Sequence, residues 1–124
     1  MTFLRGTLAA GLAAAMLSSG CAGDPQAPRV AEGDPASGRL LLRQYGCGSC
    51  HVIPGVANAV GNVGPPLHRI GSRVYLAGIL PNTPANMARW ISDPDGVDPA
   101  TAMPDQQVPE QFVRDMVAYL GTLK

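Results

Sequence analysis

The sequence predicts a small all-α domain, three to four helices joined by long loops. Three observations predict it. Apolar residues recur at helical spacing in three separate segments. No segment alternates convincingly as a strand, and no internal repeat is present. Twelve prolines and 15 glycines interrupt the rest, which excludes an ordinary continuous helical bundle. The chain has 124 residues, room for one domain. Six aromatic residues make a thin core. Small domains short of core usually carry a covalent or metal staple, so the three cysteines become the question.

Residues 1–20 read as a leader rather than as fold. Arg5 gives a thin basic start, and Leu8 to Leu17 is apolar. That run is shorter than the roughly 20 residues a membrane-spanning helix needs. It has the anatomy of a secretory signal peptide, removed in the mature protein. Ser18-Ser19-Gly20-Cys21 then resembles a bacterial lipobox, with Leu17 four places before the cysteine. The resemblance implies cleavage before Cys21, lipidation of Cys21 and a membrane-anchored periplasmic protein. An ordinary signal peptide cut a few residues later is the alternative. Residues 21–33 have no periodicity and two prolines, and read as a flexible tether. The domain proper is expected over residues 34–124.

Asp34-Pro35 is a helix start, a capping residue followed by proline in the first turn. That helix is expected to reach about Tyr45 and stop at Gly46, with Leu41, Leu42 and Tyr45 on one face. Residues 52–66 hold three glycines and three prolines and read as a loop. Thr83-Pro84 opens a second helix ending at Asp93-Pro94, with Met87, Trp90 and Ile91 inward. Residues 92–109 are acidic and rich in proline. A terminal helix over Glu110 to Leu123 turns Phe112, Val113, Met116, Val117 and Leu120 to one side.

Cys47-Gly48-Ser49-Cys50-His51 is C-x-x-C-H, the attachment signature of c-type haem. Two cysteines at this spacing add across the two vinyl groups as thioethers. The adjacent histidine then lies under the iron as its proximal ligand. A haem would also be the missing staple. Three other readings were open to this pattern. A zinc site could use Cys47, Cys50, His51 and His68, but no second ligand pair at short spacing exists. A thioredoxin-like redox pair would need a βαβ setting, and a plain disulfide would have no use for His51.

The stretch GDPASGRLLLRQYGCGSCH, with the layout that follows it, resembles the class I cytochromes c over nearly all of residues 33–124. The resemblance implies the class I cytochrome c fold wrapped around one covalent haem. It implies that a glycine of the first helix packs on an aromatic of the last, here Gly38 and Tyr119. Gly64-Pro65-Pro66-Leu67 matches the family's G-P-x-L. By resemblance the Pro65 carbonyl accepts from His51 Nδ1–H, and Leu67 packs on the haem. Arg73 and Trp90 fall where relatives bind a haem propionate, with Tyr75 a weaker candidate. Met103 lies in a T-x-M-P setting like the family's axial methionine, in an irregular segment. Met87 and Met116 sit on helical faces, where methionine more often fills core. Met87 is the next candidate for the sixth ligand. His68 follows the proximal turn and is a poor distal ligand.

His/Met ligation fills both axial positions and raises the potential. No catalytic residue is expected, and the chain is read as not an enzyme. The leading function is single-haem electron transfer between respiratory partners such as a terminal oxidase, a bc1-type complex or a dehydrogenase, and the chain is expected to be a monomer. A subunit role in a larger oxidase or dehydrogenase complex is the alternative, with a haem sensor or peroxidase-like module behind it. Without residues 1–20 the chain carries 8 basic and 9 acidic residues, which argues against nucleic acid. Lys124 is the one lysine. Docking is therefore expected to depend weakly on salt.

Overall fold

The computed structural model describes residues 33–124. The leader, Cys21 and all of the tether but Gly33 lie outside the described residues. The described chain is mainly helical, with four helices and one small two-stranded ribbon.

Helix α1 spans Pro35–Gln44. Its start is built as the sequence dictates. The Asp34 carboxylate accepts the N–H groups of Ala36 and Ser37 at 3.0 and 3.1 Å, and the Ser37 hydroxyl donates to it at 2.6 Å. Two donors otherwise orphaned at the helix end are thus satisfied. The Ser37 hydroxyl above all, then the two N–H groups, holds the Asp34 carboxyl below its ordinary pKa. The chain leaves α1 at Tyr45, and Gly46 takes φ +70°, a left-handed value that glycine adopts without penalty.

The terminal helix α4, Glu110–Thr122, buries Val113, Met116, Val117 and Leu120. Leu41 and Leu42 of α1 join the same core. The two helices approach backbone to backbone. A Cβ at Gly38 would collide with the Asp115 carbonyl, and one at Gly33 with that of Arg114. The Asp34 N–H also donates to Asp115 Oδ1 at 2.8 Å. Gly38 has the Asp115–Met116 backbone nearest to it, on the helix that also carries Tyr119. Tyr119 donates its hydroxyl to the Pro54 carbonyl at 2.6 Å. The aromatic contact between these helices is Tyr45 with Phe112, ring centroids 6.4 Å apart and tilted by 60°.

Helix α2, Pro84–Ser92, is capped by Thr83, whose hydroxyl accepts the Asn86 N–H. Met87 and Ile91 are buried, and Trp90 is half-buried. A single turn, α3 over Pro94–Val97, follows directly, with Asp93 Oδ1 accepting the Gly96 N–H at 2.9 Å. The sequence left this turn inside an irregular segment. A second difference is a ribbon, β1 Tyr75–Leu76 against β2 Leu80–Pro81, antiparallel with Leu76 opposite Leu80. Two residues per strand are too few to show alternation. The turn between them places Ala77 and Gly78 at φ +50° and +75°, and only Gly78 signals it.

Candidate functional site

The site grows from the short 3₁₀ turn Cys47–Ser49. His51 N–H donates back to the Cys47 carbonyl at 3.0 Å, and Cys50 N–H to the same oxygen at 3.3 Å. That turn sets both thiols and the imidazole on one side of the chain, where all three border a common cavity. Burial pushes the Cys47 thiol above its ordinary pKa, and the neighbouring Cys50 adds to the rise.

Glycines let the following loop close on this turn. Gly61 N–H donates to the Gly48 carbonyl at 3.0 Å. A Cβ at Gly48 would collide with Ala59, and one at Gly61 with the Ser49 carbonyl. Gly64 N–H donates to the Cys50 carbonyl and Leu67 N–H to that of Val52, both at 2.8 Å. Gly64 lies flat against the His51 ring, with no room there for a side chain. His51 Nδ1 is 2.7 Å from the Pro65 carbonyl oxygen. A carbonyl only accepts, so Nδ1 must carry the proton. In the neutral ring Nε2 then keeps a free lone pair.

The cavity has a volume of about 370 Å³, within the usual range for small-molecule sites. Its lining is mainly apolar: Leu42, Leu67, Ile70 and Ile91 line its walls, and Met116 and Leu120 of α4 contribute. The structure places Cys47, Cys50, His51, Pro65, Leu67, Arg73, Trp90 and Met103 all on its walls, with Tyr75. Met103 is half-buried, and its N–H donates to Thr101 Oγ1 at 3.1 Å. Met87 and Met116 border the same cavity while being 5% and 0% exposed. They are core and cavity wall together, a dual position that helical periodicity alone could not show. His68 does not line the cavity, and among the described residues no cluster of three or more His, Cys, Asp or Glu forms a metal cage. The zinc reading therefore finds no cluster to stand on.

Arg73 borders the cavity and also reaches the backbone. Its Nη2 donates to the backbone carbonyls of Pro66 and, at 3.1 Å, His68. Asn82 escaped the sequence reading altogether. Its amide nitrogen donates to the carbonyls of Ile70 and Arg73 at 2.7 and 2.8 Å. An asparagine just before a capping threonine was its only signal.

The described residues thus form a small mainly helical domain with a C-x-x-C-H turn on an apolar cavity. The chain is 32% identical over 88 residues to cytochrome c oxidase subunit 2 of Alkalihalophilus pseudofirmus. The match covers 70% of this chain and 25% of that protein, so the chain spans about a quarter of the relative's length. No family model matches the chain. The similarity corrects one expectation, that the chain is not an enzyme: the protein it matches is a subunit of an oxidase, an enzyme complex. Among the described residues no helix is long and apolar enough to cross a membrane.

Proposed function

We propose that residues 34–124 form a class I cytochrome c domain that carries one covalent haem c and passes single electrons in a respiratory chain. One observation carries this reading: Cys47, Cys50, His51 and Met103 border a single apolar cavity. The donor set fits the group. Two thiols at C-x-x-C spacing are the attachment points, and thioether formation would remove the thiol that burial makes costly to ionise. Nδ1–H of His51 is engaged by Pro65, which leaves Nε2 for iron. Engagement of the second ring nitrogen in this way orients a metal-binding histidine and raises its basicity. Met103 supplies a thioether for the other side. When bound, haem c supplies a reversible one-electron couple.

The chain's own residues do the rest. The apolar lining excludes water, and the exclusion of water together with a methionine ligand favours a high potential. Trp90 and the donors of Arg73 not used on the backbone are the groups for the propionates. With His51 and Met103 both holding the iron, no position would be left open for a substrate, which suits plain electron transfer. Partners are an oxidase-type respiratory complex, within which the domain acts as a subunit or to which it delivers electrons. The similarity to an oxidase subunit supports this pairing. Export with loss of residues 1–20, lipidation of Cys21 and periplasmic attachment to a membrane complete the proposal, and mass spectrometry of the mature N-terminus tests them.

The central test is covalent haem. The full chain, produced with a c-type maturation system, is expected to keep one iron and one haem per chain through denaturation. The Cys47→Ala, Cys50→Ala double variant should lose it. A chain that binds copper, or no haem, overturns the reading. Met103→Ala should lower the potential and let carbon monoxide bind the reduced protein; an unchanged potential and spectrum would reassign the sixth ligand. Cyanide-sensitive oxidation of the pre-reduced protein by host membranes would identify an oxidase as acceptor.

A further inference from the structure

We propose that Arg73 is a positioning residue for His51, acting through the Gly64–Leu67 loop rather than by its charge alone. The inference rests on the reading of His51 as a ligand. Pro65 and Pro66 have no N–H and fixed φ angles, so their carbonyls are the only polar handles on the middle of that loop. Pro65 offers its carbonyl to His51 Nδ1 at 2.7 Å. The next carbonyl, that of Pro66, accepts from Arg73 Nη2, as does that of His68 at 3.1 Å. One guanidinium nitrogen therefore grips both sides of Leu67. A cationic donor makes each bond stronger than a neutral one.

The grip has an anchored base. Arg73 N–H donates to the Ile70 carbonyl at 3.3 Å. Asn82 holds the carbonyls of Ile70 and Arg73 from the start of α2. The loop is thus fixed from two directions. Gly64 and Leu67 tie it to Cys50 and Val52 on the side of the cysteine turn. Arg73 ties it to α2 on the other. With φ of Pro66 set by its ring, the Pro65 peptide and the Pro66 ring move as one unit, and the Arg73 bond holds that unit by the Pro66 carbonyl at its far end. With Arg73 removed, the Pro65 carbonyl loses its fixed aim at His51.

The test follows the His51 Nδ1–H itself, by hydrogen exchange in the full chain labelled with ¹⁵N-histidine. Arg73→Ala should speed that exchange about tenfold, the effect of losing one charge-assisted bond's worth of restraint. The backbone N–H groups of Val113 and Val117 in α4 should keep wild-type rates. Arg73→Lys keeps the charge but has a shorter reach and no planar fork, so it should behave like Arg73→Ala. It also carries the test if Arg73→Ala does not fold. Unchanged Nδ1–H exchange, an equal acceleration at every site, or full rescue by lysine would each overturn the proposal. Haem content, read separately from the absorption of the pyridine complex, bears on the parent reading alone. The Nδ1–H and the Pro65 carbonyl belong to the polypeptide with or without iron.

Discussion

Two loops that border the cavity are held in different ways. The loop carrying His51 and Pro65 is stitched by backbone bonds between segments: Gly61 to Gly48, Gly64 to Cys50, Leu67 to Val52. The loop carrying Met103 is held by turns within itself. Ala100 N–H donates to Asp98 Oδ1, Met103 N–H to Thr101 Oγ1 and Gln107 N–H to Asp105 Oδ1, each two residues back. Buried Pro94 and Val108 flank this loop. Local side-chain turns restrain a short piece of chain but do not fasten it to a neighbour. The difference teaches which side yields first. The methionine loop should open with a smaller free energy than the histidine loop.

The strongest challenge to that contrast is Met116→Ala. Met116 is fully buried in α4 and borders the cavity. Its loss should cost about 2–5 kcal/mol, measured by denaturant unfolding. Both loops should lose hydrogen-exchange protection together; protection lost in one loop alone would mean they do not share a floor. Gly64→Ala should act on the histidine side only. Its Cβ meets the His51 ring, and overpacking of this kind costs about 1–3 kcal/mol. The His51–Pro65 bond should weaken in the same variant, while amides of residues 98–107 keep their rates. Thr101→Val removes the acceptor for Met103 N–H and should cost about 1 kcal/mol. Its effect should be confined to the methionine side, raising exchange at Met103 itself.

The smallest effect serves as a control remote from both loops. Asp34→Ala removes the cap of α1 and should lower the melting temperature by a few degrees at neutral pH. The carboxyl's pKa is lowered in the folded state. Its contribution is therefore present above the ordinary carboxylate pKa of about 4 and is lost as pH falls through the lowered value. Melting curves of wild type and variant should draw together as pH falls below about 4 and meet only below the lowered value. Convergence on the alkaline side instead would break the assignment.

Much of the fold was legible because its signals are local. Asp34-Pro35 and Thr83-Pro84 announce helices by capping chemistry, and Val113, Met116, Val117 and Leu120 announce a buried face by spacing. The C-x-x-C-H turn and the G-P-P-L turn were legible for the same reason. What was not legible depends on how distant segments meet. The two-residue strands at Tyr75 and Leu80 have too little length for a pattern. The close approach of Gly38 to the Asp115 backbone was not legible, because the depth at which two helices cross is a tertiary outcome. The partners of Arg73 are carbonyls, which leave no mark in side-chain sequence, and Asn82 works on carbonyls too.

The clasp between α1 and α4 has a consequence for how the chain folds. The bond from Asp34 N–H to Asp115 joins positions 81 residues apart. Closing so long a loop costs only slightly more entropy than closing one of half the length, about 0.6 kcal/mol for a doubling. Non-local contact of this kind still slows folding. Helices α1 and α4 are each defined by their own residues, and their glycine-lined contact needs nothing from the chain between them. A nucleus of the two end helices could therefore form first, with the cysteine turn and the methionine loop settling afterwards around whatever the cavity holds.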